Sequence, residues 1–171
     1  MNAKGTINNM NANAFRQIFN YHFSENRKIW DNTITQLSQE QFAQDAPYSH
    51  GSVRNQVVHM MSVDDTWFSG LRGDEIPEPL DPAILNDRRV IRAYWDEVEQ
   101  KMRDFLGNLQ DDMLNGKPFA EGEDKDLILW QVLLHVVNHG TDHRAQLLRS
   151  LNDLGLKTTS QDFIFYVYDN L

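Results

Sequence analysis

Three histidines, His135, His139 and His143, stand at successive intervals of four in the run His135-Val136-Val137-Asn138-His139-Gly140-Thr141-Asp142-His143-Arg144. These ten residues hold half of the six histidines in the chain. On an α-helix each step of four turns the side chain by about 40° and advances it about 6 Å, so neighbours in the series share a face. Two such imidazoles can reach one metal ion. One helix face cannot close a tetrahedral or octahedral shell, so a third ligand must come from another element. Three neutral imidazoles with open positions match a catalytic site better than a closed structural one. Zinc, nickel, iron and manganese all accept imidazole, and geometry chooses among them.

His59 is the preferred third ligand. Ser52, Asn55, Gln56, Val63 and Thr66 lie around it at near-helical offsets. Such a polar face on an otherwise apolar helix suggests a cavity lining. His22 and His50 are the alternatives. His50 precedes a helix cap and could reach the mouth of a pocket, whereas His22 reads as part-exposed on the first helix. His135 is either a fourth candidate or a hydrogen-bonded neighbour. Asp142 or Asn138 could orient a ligand through its second ring nitrogen.

The elements that must position these residues are helical. An asparagine cap at Asn11 or Asn13 leads into Phe15, Ile18, Phe19, Phe23, Trp30, Ile34 and Leu37, spaced for one buried face. Ser38 with Gln41 suggests a stop and a short new turn. Ser52 caps a second helix carrying Val53, Val57, Met60, Met61, Trp67, Phe68 and Leu71, ended by Gly73. After an irregular segment with Pro77, Pro79 and Pro82, a third helix starts near Asn86 or Asp87. Its stripe is Val90, Tyr94, Trp95, Val98, Met102, Phe105 and Leu109. The polar connection from Gln110 to Lys125 leaves room for a small hairpin. Asp126 is the expected cap of a fourth helix of about 28 residues, ~42 Å long and ended by Gly155. Ser160 is the expected cap of a short aromatic segment over Asp162 to Asn170. Residues 1–10 read as loose.

Composition narrows the chemistry. The 171 residues fit one domain over 1–171, large enough for a real core. No cysteine is present, which excludes disulfides, Cys-zinc sites, Fe–S clusters and a cysteine nucleophile. A net charge of −9 argues against nucleic acid as a partner. Arg88, Arg89 and Arg92, surrounded by Asp87, Asp96 and Glu97, read as a solvated helix face. No apolar run approaches the ~20 residues that span a bilayer, and the N-terminus lacks the apolar run of a signal peptide, so no membrane partner and a cytoplasmic location are expected. Glutamates are missing from the second and fourth helical patterns, which disfavours a di-iron carboxylate bundle. No His-Glu-x-x-His, Walker, dinucleotide-binding or Gly-x-Ser-x-Gly pattern occurs.

Two motifs carry a family resemblance. Trp130 to Gln146, with His135-x-x-Asn138-His139-x-x-x-His143-Arg144 at its centre, resembles the last helix of the DinB/YfiT-like proteins. His50-Gly51-Ser52-Val53, running to His59 and on to Trp67, resembles that family's second helix. The resemblance covers nearly the whole chain. It implies an all-α fold: a four-helix bundle with a crossover connection, a short C-terminal helix, and often a homodimer. It implies a divalent metal, zinc or nickel first and iron or manganese next, on His59, His139 and His143. His135, Asp142, Asn138, Asn55 and His50 then become pocket or outer candidates, and Arg144 takes a structural role off the metal face. Asp142 and Ala145 stand where many relatives carry an aromatic residue and a glycine. Characterised relatives include transferases and isomerases that use bacillithiol, mycothiol or glutathione. The implied activity is thiol S-transfer to small electrophiles, with a low-molecular-weight thiol as co-substrate. A metal-dependent hydrolase and a non-catalytic, metal-stabilised stress-response or interaction bundle are the alternatives.

Overall fold

Asn11 turns the chain into its first helix, α1 (Ala12–Asn32), by accepting the Ala14 N–H at 2.8 Å. A second unpaired N–H of that first turn, on Ala12, donates to Asp111 Oδ1 at 2.8 Å, so a distant connection completes the cap. In the computed structural model residues 11–171 are described; the loose segment expected over residues 1–10 lies outside them. Five further helices follow: α2 (Gln39–Ala43), α3 (Val53–Arg72), α4 (Arg88–Gly107), α5 (Leu129–Asp153) and α6 (Phe163–Asp169). Two 3₁₀ turns, Ile34–Gln36 and Asp111–Asn115, interrupt the connections, and no strand occurs among the described residues.

The local stops agree with side-chain chemistry. Ser38 and Gln41 form a reciprocal capping box at α2, with bonds of 3.1 and 2.9 Å. Ser52 Oγ accepts from Asn55 N at 3.1 Å and starts α3. Gly73 (φ 72°) ends α3, and Gly155 (φ 86°) follows α5, in the left-handed region where a Cβ is costly.

Several expectations need correction. The first helical stripe breaks at Asn32, so Ile34 sits in a 3₁₀ turn and Leu37 follows it; both are still buried. Val90 is 52% exposed, because the buried face of α4 runs through Ile91, Trp95, Val98, Met102 and Leu106 instead. The hairpin expected between Gln110 and Lys125 is a 3₁₀ turn. Asp126 does not cap α5: its carboxylate accepts from Lys117 Nζ at 2.7 Å, and the helix starts after Ile128, whose N–H donates to Gln131 Oε1. The helix is accordingly shorter, at 25 residues. Ser160 bonds Asp162, and α6 begins two residues later than Ser160 would have started it. Arg88 and Arg92 are not simply solvated. Arg88 donates to the carbonyls of Ile34 and Leu37, and their guanidinium groups lie over Phe42 and Trp30, respectively.

Four long helices surround the core. α3 packs along α5 and α4, and α1 packs against the other flanks of α5 and α4. Phe15, Phe19, Phe68, Met61, Ile91, Leu133, Val136 and Leu147 are fully buried between them. Each such side chain contributes roughly 1.5–3 kcal/mol of burial. Phe19 meets Phe68 edge-on at 5.5 Å across the centre. α6 lies over the outer side of α1 through Tyr21, which contacts Phe163 and Tyr166. No helix among the described residues is long and apolar enough to cross a membrane.

Candidate metal centre

The pairing of α3 with α5 brings His59 to the histidine series. His59 Nε2 lies 3.2 Å from His139 Nε2 and 3.2 Å from His143 Nε2. Two nitrogens bound to one tetrahedral ion at 2.0–2.1 Å lie about 3.3 Å apart, so both separations suit a common ion. His50 joins from the loop before α3. Its ring stacks on His59 with centroids 3.8 Å apart, and one donor atom each of His50, His59 and His143 lie within 4.8 Å of one another. His59 thus contacts all three other rings, but the three whose donor atoms all lie within 4.8 Å of one another are His50, His59 and His143; His139, expected as a ligand, reaches this group through His59.

The donor set fits a divalent cation. Burial, with His50 and His143 adding to it, lowers the pKa of His59 to about 4. Burial, with His143, His59, His135 and His22 adding to it, lowers that of His139 to about 3. His50 is lowered as well, by burial and by His143. The rings of His59 and His139 are therefore neutral at pH 7 and bring lone pairs, not charge, to their gap. His59 Nε2 faces two other Nε2 atoms at 3.2 Å, and a proton on His59 can serve only one of them; a cation beside His59 would engage lone pairs that hydrogen bonding leaves unpaired.

The surroundings orient His143. Metal binding through Nε2 places the ring proton on Nδ1. Gln146 Oε1, 3.1 Å from Nδ1, accepts it. The amide of buried Gln56 lies on the same side: its Nε2, 2.7 Å from Nδ1, donates to the ring in the tautomer that leaves Nδ1 unprotonated, and it also donates to the His143 carbonyl at 3.4 Å. Gln146 is itself anchored by donating to Asp142 Oδ2 at 3.0 Å. Asp142 therefore acts on His143 at one remove. Ser49 Oγ contacts both Gln56, at 2.7 Å, and Gln146. His139 Nδ1 is buried without a hydrogen-bond partner among the described residues, so on that side of the ring only packing holds it.

The other sequence candidates fall around this group. His135 is exposed, 5.9 Å from His139 by ring centroids, and edge-on to Trp67 at 5.2 Å. It extends the row of rings towards Trp67. Asn138 is exposed on α5. Asn55 supports the site indirectly, donating to the His50 carbonyl at 3.1 Å. Ser49, Gln56 and Gln146 were not assigned from the sequence to the site's hydrogen bonds. Gln56 stands three residues before His59 and Gln146 three after His143, so helix spacing places both on the histidine faces.

His22 is not part-exposed; it is fully buried. It lies on a different side of α5, where Arg144 Nη1 donates to His22 Nδ1 at 3.1 Å and to Asn26 Oδ1 at 3.0 Å. His22 Nε2 faces Asp64 Oδ2 at 3.3 Å. Arg144 Nη2 donates to Thr141 Oγ1, and Nε to Gln161 Oε1, both at 3.0 Å. Burial lowers the Arg144 pKa, while Tyr21, Asp64 and Glu25 raise it. Gly140 makes this packing possible: a Cβ there would stand 2.7 Å from His22 Nδ1.

No curated protein matches the chain. The family profile described as "DinB family" matches residues 8–170, nearly the whole chain. The all-helical fold and the histidine cluster that could bind a metal agree with this match: the chain belongs to the DinB family.

Proposed function

We propose that the protein is a divalent-metal-dependent thiol S-transferase acting on small electrophiles, with His59, His139 and His143 as its metal ligands. The observation that supports it best is that His59 Nε2 on α3 lies 3.2 Å from two Nε2 atoms on α5, those of His139 and His143, beside a solvent-facing loop. Zinc or nickel suits the all-imidazole donor set first, and iron or manganese next. Such an ion supplies a thiolate at neutral pH by lowering the pKa of a bound thiol. The chain has no cysteine, so that thiol arrives as a co-substrate. The chain's own part is orientation: Gln146 and Gln56 hold the His143 ring, and α3 and α5 fix the angle between His59 and the His139–His143 pair. A four-helix bundle of DinB type, with the long connection after α3 as its crossover, is the architecture we infer for this scaffold. A homodimer is the association we infer, to be checked by sedimentation.

The test is turnover of a chromogenic electrophile with a panel of small thiols, using metal-free and metal-loaded protein. Thiol-dependent turnover only in the loaded protein, lost in His59→Ala, is the expected result. Equal turnover in metal-free protein would contradict it. Turnover with water and no thiol would move the reading to a hydrolase.

One observation favours a second reading. His50 offers a fourth imidazole, which could close the shell with protein atoms. The metal would then mainly tie α3 to α5 in a non-catalytic, stress-response or interaction protein. That reading expects metal to raise the melting temperature with no turnover of any electrophile.

A further inference from the structure

We propose that His50 is a displaceable fourth ligand: its imidazole closes the outward side of the His59–His139–His143 group in the resting protein and gives that position up to an incoming thiolate or small anion. The inference rests on the three-imidazole reading above and reconciles it with the closed-shell alternative.

Four features of the loop carry it. His50 is within reach, its donor atom lying within 4.8 Å of those of His59 and His143. It is less firmly held than they are. The other three rings stand on long helices and are half-buried, whereas His50 is exposed on the connection between α2 and α3. Its ring stacks on His59 and makes no hydrogen bond among the described residues, so nothing but stacking resists rotation of the side chain.

Its backbone, by contrast, is built into place. Ser49 (φ 51°) and Gly51 (φ 86°) flank it in the left-handed region, the serine against its steric preference. The positive φ of Gly51 is what calls for glycine there; the atom its Cβ would meet first, Asp45 Oδ1, ends an exposed side chain that can move aside. Asn55 Nδ2 holds the His50 carbonyl at 3.1 Å. Ser49 Oγ touches Gln56 and Gln146, the two side chains that orient His143. Strained backbone persists where surrounding contacts over-determine it. Here those contacts run to the metal site. A fixed backbone with a free ring is what a swinging ligand requires. In the exchange the thiol releases its proton to solvent, its sulfur lone pair takes the position left by the His50 nitrogen, and no electron is transferred.

The experiment uses full-length, tag-free protein with cobalt(II) as the probe. Cobalt affinity, the visible spectrum and azide affinity are measured for the wild type, His50→Ala, His50→Gln and His59→Ala. The expected result is one cobalt per chain in wild type and in both His50 variants. Cobalt should bind roughly tenfold more weakly in the His50 variants. Azide should bind more tightly to them, because no protein group competes. The wild-type spectrum on azide addition should converge on that of azide-treated His50→Ala. Unchanged cobalt affinity, spectrum and azide affinity in both His50 variants would make His50 a bystander and overturn the proposal. Loss of all cobalt from folded His50→Gln would make it an obligatory ligand and also overturn it. Failure of the wild type to bind cobalt, or full cobalt retention in His59→Ala, would instead remove the three-imidazole reading beneath it.

Discussion

His143 and Arg144 are adjacent in sequence, about 100° apart around α5, and serve different faces of it. His143 Nε2 lies 3.2 Å from His59 Nε2 on α3, while Arg144 Nη1 lies 3.0 Å from Asn26 Oδ1 on α1. One turn of helix therefore carries both a candidate ligand and the buried ion that locks the helix. The two roles are separable by mutation.

Arg144→Met should destabilise the protein by about 3 kcal/mol, since it strips a charged donor from buried His22 and Asn26 and removes a positive charge that interacts with buried Asp64. Urea unfolding of the metal-free protein measures this. A change within ~0.5 kcal/mol would mean the network contributes no more than a surface pair.

Gly140→Ala should also destabilise, by roughly 1–3 kcal/mol, although alanine is the better helix former by ~1 kcal/mol. The added methyl meets the His22 ring, which Asn26, Asp64 and Arg144 hold from three sides. Equal or higher stability in the same urea experiment would show that His22 has room to move.

The Gln146→Ala variant should weaken metal binding about 10–100-fold without abolishing it, because Gln146 accepts at His143 Nδ1 and so sets the nitrogen left for the ion. Competition against a chromophoric chelator gives the number. Unchanged affinity would show that Gln56 orients the ring alone.

The metal-free protein should lose stability as pH falls from about 6.5. His59 and His139 titrate near 4 and 3 in the folded chain, below the ordinary 6.5, because burial disfavours their charged forms. The unfolded chain then binds more protons across this window. Their contribution is complete above 6.5 and is lost as pH falls through 4 towards 3. Melting temperatures of wild type and His59→Gln should converge over that range. Parallel curves would contradict the shift.

Much of this arrangement was legible in the sequence, for a physical reason. Helical period put His139 and His143 on one face and His59 among polar neighbours on another, and side-chain caps at Ser38, Ser52 and Asp87 announced three helix starts. What escaped depends on packing between elements. Val90 and Ile91 are equivalent in hydrophobicity, and only the rotation of α4 against the core decides which is buried. The burial of His22 follows from the gap at Gly140, 118 positions away in the chain, which no local pattern reports. The nearness of His50 to His59 depends on two left-handed residues, of which only the glycine is a recognisable signal.

The most direct test of the central claim is the metal content of protein purified without a polyhistidine tag, measured by elemental analysis beside His139→Ala. The account predicts about one zinc, nickel, iron or manganese per wild-type chain and its loss from the variant. No metal in the wild type, and no uptake when each ion is added, would contradict it and leave the histidine cluster a polar feature of the helix pair.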